Sequence, residues 1–250
     1  MKAYRIVCLI LLSAIFTFAA RNVVQACYDG PEIEIISPEN KTYATNSIPL
    51  IFTIDKPAVW ISWIGYSLDG QENVTICCNT TLTDLQDGAH DVVVYANDTC
   101  GRMGVSNKVC FGVDTTPPNI TDVSQMPDAD NVLPIDTVKV NATVTDNFSG
   151  VKQVILNYTT GNGTWITVNM SNLEENVWNG TIPAFEYCTW VNYTIMAEDN
   201  VGNTATTEEV YGYQYQYHVI PEFSQILVLL MPMAATLLTA LLYKRRKHSL

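Results

Sequence analysis

Basic residues are scarce between the two ends of this chain. Lys41, Lys56, Arg102, Lys108, Lys139 and Lys152 stand there against all 25 acidic residues. A surface of that sign repels nucleic acid and anionic lipid and attracts cations, so no nucleic-acid partner is expected. Histidine is nearly missing too, with only His90 and His218 ahead of the C-terminal apolar run. No phosphate loop, dinucleotide fingerprint, His-Glu-x-x-His or Gly-x-Ser-x-Gly occurs. These gaps remove the usual carriers of nucleotide, metallopeptidase and serine-hydrolase chemistry. His90 ends a predicted turn, Asp87-Gly88-Ala89-His90, and reads as a surface residue, not a base. No catalytic residue is assigned and no enzyme is expected.

Both ends are apolar and basic. Lys2 and Arg5 precede an apolar run from Ile6 to Ala20, and Val24-Gln25-Ala26 supplies small or apolar residues for cleavage before Cys27. Residues 1–26 therefore read as a secretory signal peptide. At the other end, Pro221-Glu222-Phe223 precedes an uncharged run from Ile226 to Tyr243, followed by Lys244, Arg245, Arg246 and Lys247. A helix over about 224–243 would be roughly 30 Å long, enough to cross a bilayer. The four cations behind it keep the C-terminus cytoplasmic and place everything before Pro221 outside. The expected location is the cell membrane, in a single pass, with the membrane itself as a partner.

Between the ends lie strand patterns and no convincing amphipathic helix. Short β-branched or aromatic runs at Ile33–Ile36, Ile48–Ile54, Val59–Tyr66, Val74–Cys77 and Val92–Tyr95 alternate with turn signals such as Asp69-Gly70. The pattern returns at Val138–Thr145, Lys152–Tyr158, Trp165–Val168, Val177–Ile182 and Val191–Ala197, with a last strand at Glu209–Val219. Ala96-Asn97-Asp98-Thr99-Cys100-Gly101 matches Ala197-Glu198-Asp199-Asn200-Val201-Gly202 at an offset of 101 residues. Asp114-Thr115-Thr116-Pro117-Pro118 supplies a short, stiff connector between the copies. The expected architecture is all-β: two tandem Ig-like β-sandwiches, 31–114 and 115–217, plus one C-terminal transmembrane helix within 221–250.

Four sets of residues are candidates for chemistry. In a secreted chain disulfides are the default. Sandwich topology gathers Cys27, Cys77, Cys78 and Cys100 at one end, which predicts a bond from Cys100 to one of the adjacent pair and from Cys27 to the other. The acidic turns suggest a cation. Asp114, Asp146 and Asp199, with the amides of Asn147 and Asn200, could supply oxygen ligands for structural calcium, the one candidate cofactor. The competing reading is that Asp and Asn close turns on their own backbone. Asn-x-Ser/Thr acceptors begin at Asn40, Asn73, Asn79, Asn97, Asn119, Asn141, Asn147, Asn157, Asn162, Asn169, Asn179 and Asn192. Trp60, Trp63, Trp165, Trp178 and Trp190 are expected in the two cores, with stacking on sugar rings as the other reading. The row Tyr211, Tyr213, Tyr215 and Tyr217 is expected to pack across strands, the alternative being contact with the lipid interface.

Two resemblances add to this. Pro221-Glu222-Phe223, an apolar helix and a terminal Lys/Arg cluster resemble the PEF-CTERM sorting signal of archaeal surface proteins. That likeness implies an archaeosortase as a processing partner and a lipid anchor as the outcome. The connector, Asp146-Asn147-Phe148-Ser149-Gly150-Val151 and the Ala197–Asn203 turn resemble prokaryotic surface Ig-like or fibronectin-III-like repeats. The acidic layout is similar to junction calcium sites of cadherin-type arrays. Together they imply a non-catalytic structural or adhesive module of the cell envelope, partnered by surface-layer or other envelope proteins. The alternative is a ligand-binding or substrate-capture module for sugars or peptides.

Overall fold

A computed structural model describes residues 30–55, 60–161 and 163–221. The expected signal peptide, Cys27, Asn162, Glu222, Phe223, the C-terminal apolar helix and Lys244–Lys247 lie outside those residues. Among the described residues no helix is long and apolar enough to cross a membrane. The chain divides into two units. One runs to Thr116 and takes in the turn residues Asn147–Ser149 and Asn200–Asn203; the other holds Pro117–Asp146, Gly150–Asp199 and the residues from Thr204 on. The break at Thr116/Pro117 falls inside the expected connector, two residues past Asp114.

The described residues of the first unit form two sheets. β1 (Glu32–Ser37), β3 (Ile48–Asp55) and β6 (Thr80–Leu82) form one sheet in the order β1-β3-β6. β2 (Thr42–Tyr43), β9 (Val109–Val113), β7 (Gly88–Asp98), β4 (Ile61–Leu68) and β5 (Val74–Ile76) form the other in that order, and β8 (Met103–Val105) pairs with β7. These pairings are antiparallel, except that β2 runs parallel to β9. The two sheets close on one core, where Ile33, Ile48, Leu50, Phe52 and Leu82 meet Val92, Val94, Ala96, Phe111 and Val113. Alternation explains why these residues point inward: β3 buries Ile48, Leu50 and Phe52 and exposes the residues between them.

The second unit repeats the plan. β10 (Asn119–Met126), β11 (Val138–Thr145), β15 (Val177–Ile182) and β14 (Ser171–Glu174) form one sheet, in the order β10-β11-β15-β14. β13 (Ile166–Asn169), β12 (Val151–Thr159), β16 (Trp190–Asp199) and β17 (Thr204–Thr206) form the other, with β18 (Tyr215–His218) also on β16. Val138, Val140, Ala142 and Val144 of β11 face Val154, Leu156, Val191, Tyr193, Ile195 and Tyr217 in one core. Each fully buried aliphatic side chain is worth roughly 1.5–3 kcal/mol relative to exposure, and these two clusters hold the units together.

The offset of 101 residues is built into the hydrogen bonding. In each unit the final strand breaks as it runs along the central strand, and a buried hydroxyl covers the N–H left behind. Ser106 Oγ accepts from the Val94 N–H at 2.9 Å, and Thr207 Oγ1 accepts from the Ile195 N–H at 3.0 Å. Ser106 and Thr207, like Val94 and Ile195, are 101 positions apart. Gly101 and Gly202 are paired in the same way, and both adopt positive φ (80° and 100°), which a turn of this kind requires of glycine.

Two expectations are corrected. Glu209–Val219 is not one strand: α1 (Thr207–Tyr211) takes its first part. Thr206 and Glu209 form a reciprocal capping box, and Gly212 closes the helix with φ 76°. Tyr217 is therefore buried, whereas Tyr211 and Tyr213 are exposed. Four of the five tryptophans are not core residues; Trp178, half-buried, packs against the core of the second unit. Trp60 is 85% exposed, Trp165 and Trp190 are also exposed, and Trp63 and Trp178 are half-buried. The cores are filled by Ile, Leu, Val and Tyr on the inward positions; Trp178, opposite buried Ala142, shares such a position, whereas Trp63, opposite half-buried Asn97, does not.

Candidate functional site

The turn after each central strand begins with a buried aspartate. In the first unit Asp98 Oδ1 accepts from the backbone N–H groups of Cys100 (2.9 Å) and Arg102 (3.0 Å). Its Oδ2 accepts from Arg102 Nη2 at 2.6 Å. The Asp98 side chain is fully buried and Arg102 is 20% exposed, so a buried charge is both paired and hydrogen-bonded. In the second unit Asp199 is the counterpart and is equally buried. Asn203 stands where Arg102 stands in the first copy.

Within the second unit, carboxylate oxygens of Asp146 and Asp199 come within 4.8 Å of each other. Asp146 Oδ1 also accepts from the Gly150 N–H at 2.6 Å. Two unit charges at that distance repel by about 3 kcal/mol at an effective dielectric of ~20, and a hard cation sharing both would relieve that. Asp114, with Asn147 and Asn200, falls in the first unit. Its carboxylate accepts from the N–H groups of Thr116 (3.2 Å) and Ser149 (3.0 Å). Its carbonyl accepts from Asn203 Nδ2 at 2.8 Å. Asn200 Nδ2 donates to the Ser149 carbonyl at 2.8 Å, and Asn147 is exposed. Ser149 and Asn203 escaped the sequence reading; the former acts through its backbone, which composition cannot signal.

The connector is anchored by a residue the sequence did not single out. Asp87 accepts from the Thr115 N–H and from the hydroxyls of Thr115 and Thr116. The Thr116 hydroxyl, then the Thr115 N–H, hold the Asp87 carboxyl below its usual range.

The expected bond from Cys100 to Cys77 or Cys78 is not formed. β4 separates them. Ile76 pairs with Ile64 on one side of β4 and Asp98 with Ile61 on the other. Two strand spacings are about 9–10 Å, beyond the ~7 Å a disulfide spans between Cα atoms. Cys77 and Cys78 are instead exposed thiols with Sγ atoms 3.3 Å apart.

His90 is not in a turn. It lies near the start of β7 with its side chain 10% exposed. Its Nδ1 is 2.8 Å from Asp69 Oδ2, its Nε2 is 2.7 Å from the Gln86 carbonyl, and its ring stacks on Phe111. Burial pulls its pKa down, but the Gln86 carbonyl and the Asp69 carboxylate outweigh that and the net shift is upward.

The tyrosines form a stack at one edge of the second unit. Tyr193 and Tyr215 lie 5.3 Å apart, Tyr213 packs on Tyr215, and the Tyr211 hydroxyl donates to the Ile120 carbonyl. Burial first, then the neighbouring Tyr213, pushes the Tyr215 hydroxyl up to about 12. On the outer face Trp190 stacks on His218 at 4.5 Å.

Of the glycan acceptors, Asn40, Asn73, Asn79, Asn119, Asn147 and Asn169 are exposed. Asn97, Asn141, Asn157, Asn179 and Asn192 are half-buried. Asn179 Nδ2, the atom a glycan would take, donates to Asn141 Oδ1 at 2.8 Å.

No family model matches the chain. Solved structures of similar fold include the fibronectin(III)-like modules of CbhA from Clostridium thermocellum, at 16% identity and TM-score 0.40, covering 76% of this chain and 94% of that one. The FN1–FN3 domains of chicken CNTN1 match at 13% identity and TM-score 0.39, over 76% of this chain and 67% of theirs. A Ca2+-stabilized adhesin with which an Antarctic bacterium binds ice matches at 15% identity and TM-score 0.37, over 78% of this chain and 49% of that one. These likenesses concern the fold alone.

Proposed function

We propose that this chain is a non-catalytic structural or adhesion module of a cell envelope, held at the membrane by its C-terminal apolar run. The carrying observation is the sandwich repeated at 101 residues with the same backbone-satisfying hydroxyl, next to a run that ends in four cations. The two units are the outside part, and exposed acceptors such as Asn40, Asn73 and Asn119 carry glycans. Pro221-Glu222-Phe223 is the sorting motif, cut by an archaeosortase-type enzyme. The deciding experiment is the mass of the C-terminal peptide from native membranes. Loss of Lys244–Leu250 with a lipid on the new end supports sorting. An intact tail leaves a single-pass anchor and overturns the processing step. Labelling of intact cells by an impermeant amine reagent tests the outside location; protection of Lys41 and Lys108 would overturn it.

In this reading Asp146 and Asp199 of the second unit are ligands of a structural calcium ion, supported by the approach of their carboxylates to each other. Calcium at a hundredfold excess over its Kd would add about 2.7 kcal/mol of stability, seen as a higher Tm than in chelator. An unchanged Tm removes the ion from the proposal. The second reading, capture of sugars, is favoured by the exposure of Trp60 and of the Trp190–His218 stack. Binding on a glycan array that is lost in Trp60→Ala or Trp190→Ala would support it over the purely structural role.

A further inference from the structure

Cys77 and Cys78 occupy the corner where the chain leaves β5, the edge of one sheet of the first unit, and enters β6, the edge of the other. The corner is held on both sides. Thr75 pairs with Gly65 and Ile76 with Ile64 in the ladder to β4, and Asn79 Oδ1 accepts from the Phe52 N–H at 3.1 Å. Between these anchors the two thiols are exposed and in contact, Sγ to Sγ, at 3.3 Å. The other cysteines of the described chain are not placed to compete. Cys100 lies beyond β4, Cys110 pairs with Asp91 still farther across the same sheet, and Cys188 belongs to the second unit.

We propose that Cys77 and Cys78 form a reversible dithiol–disulfide site that closes on itself by exchange with a small-molecule disulfide. The thiolate of one cysteine attacks a sulfur of R–S–S–R, forming a mixed disulfide and releasing one thiol, RSH, once the leaving sulfur is protonated. The second cysteine then attacks the protein-bound sulfur of that mixed disulfide. The Cys77–Cys78 bond forms and the second RSH leaves. Two protein thiols are oxidised, one small disulfide is reduced, and the two protein protons end on the two RSH products. Contact with Cys77, by hydrogen bond first and by charge second, pushes the Cys78 thiol up. With the two Sγ atoms in contact, either thiol can attack and its neighbour resolve.

The bond would be labile. Neighbouring Cα atoms are about 3.8 Å apart, below the ~4.4–6.8 Å that relaxed disulfides span, and strain makes a disulfide easier to reduce. The site therefore reads as a redox clip on a sheet corner, next to the glycan acceptor Asn79, and not as a permanent staple.

The test uses the full chain in detergent. It is reduced, exchanged into excess oxidised glutathione, blocked with N-ethylmaleimide and digested. The expected peptide containing Cys77 and Cys78 is about 2 Da lighter than the dithiol form and takes no maleimide until mild reduction, when it takes two. In Cys78→Ser the neighbouring thiol is gone, so Cys77 should hold glutathione at about tenfold higher occupancy than in the wild type. A link from either residue to Cys100, to another cysteine or to a second chain overturns the proposal. So does stable glutathione on both wild-type thiols, or a Cys78→Ser chain that acquires none.

Discussion

His90 makes the first unit sensitive to pH in a direction that can be worked out. Its two ring nitrogens face two groups that only accept, the Asp69 carboxylate and the Gln86 carbonyl. A neutral imidazole has one donor and one acceptor, so one contact must then set a lone pair against an oxygen. The imidazolium satisfies both, and its ring lies on Phe111 at 5.5 Å. Burial opposes the charge, but the two acceptors prevail and the folded pKa is raised. A raised pKa gives stability that is fully present below the unfolded value, about 6.5, and is lost as pH climbs through the higher folded value. Hydrogen bonds to charged groups are worth roughly 1.5–3 kcal/mol each. With Asp69 34% exposed, solvent reduces its share, which leaves about 1–2 kcal/mol in all. Nearby Lys108 bonds Asp91 at 3.0 Å, and the Asp91 N–H is held by Asp69. The variant His90→Gln therefore leaves those partners in place.

The measurement is urea unfolding of wild type and His90→Gln across a pH series from below 6 to above 8. The wild type should lose about 1–2 kcal/mol more than the variant across the series, with the loss beginning above the ordinary histidine value. Parallel curves would refute the reasoning, as would an NMR titration placing His90 below that value. An Asp69→Asn chain should shrink the difference, since it removes the charge but keeps an acceptor.

Thr207→Val and Ser106→Ala should each cost about 1–3 kcal/mol in urea unfolding, because each leaves a buried strand N–H without its acceptor; losses under about 0.5 kcal/mol would show that water replaces the hydroxyl. Gly180→Val should cost a further 1–3 kcal/mol or so by overpacking, since a Cβ there would meet Leu156 Cδ2 at 2.8 Å and Met170 Cγ at 3.1 Å; an unchanged unfolding midpoint would mean those side chains give way freely. Asn203→Arg restores the residue that neutralises Asp98 in the first copy. It should flatten the response of Tm to calcium, and a response of full size would separate Asp199 from the ion.

Strand interiors were legible because the pattern that signals them is the pattern that folds them. Val138–Thr145 and Val177–Ile182 run as expected, and the β-branched residues Val138, Val140, Val144 and Ile182 take inward positions. What escaped was set by single local contacts. Thr206 and Glu209 cap one helical turn inside a stretch whose tyrosines alternate like a strand, and the cap with Gly212 outweighed the alternation. His90 was read from its neighbours in sequence, yet its environment comes from Asp69, which is 21 residues away. Size suggests burial for every tryptophan, whereas the face of the strand decides it: Trp178 lies opposite buried Ala142 and packs on the core, and Trp60 is 85% exposed. The Cys100 pairing failed because sharing one end of a sandwich does not remove the strand between two cysteines.

The two copies divide structural from functional positions without any homologue. What they share satisfies backbone: Ser106 and Thr207 on a broken strand, Asp98 and Asp199 at a buried turn, Gly101 and Gly202 at positive φ. A fold of this kind needs those features in each copy. Where the copies differ, the fold tolerates either residue, and the choice falls to something else. Arg102 closes the charge of the first turn from within, and Asn203 at the matching position of the second carries no charge. Cys77 and Cys78 form a sheet corner in the first copy, whereas Trp178 and Asn179, which stand 101 positions on, lie inside β15 and carry no thiol. Two of the differences fall on a carboxylate turn and a dithiol corner, and both are positions where chemistry from outside the chain can act.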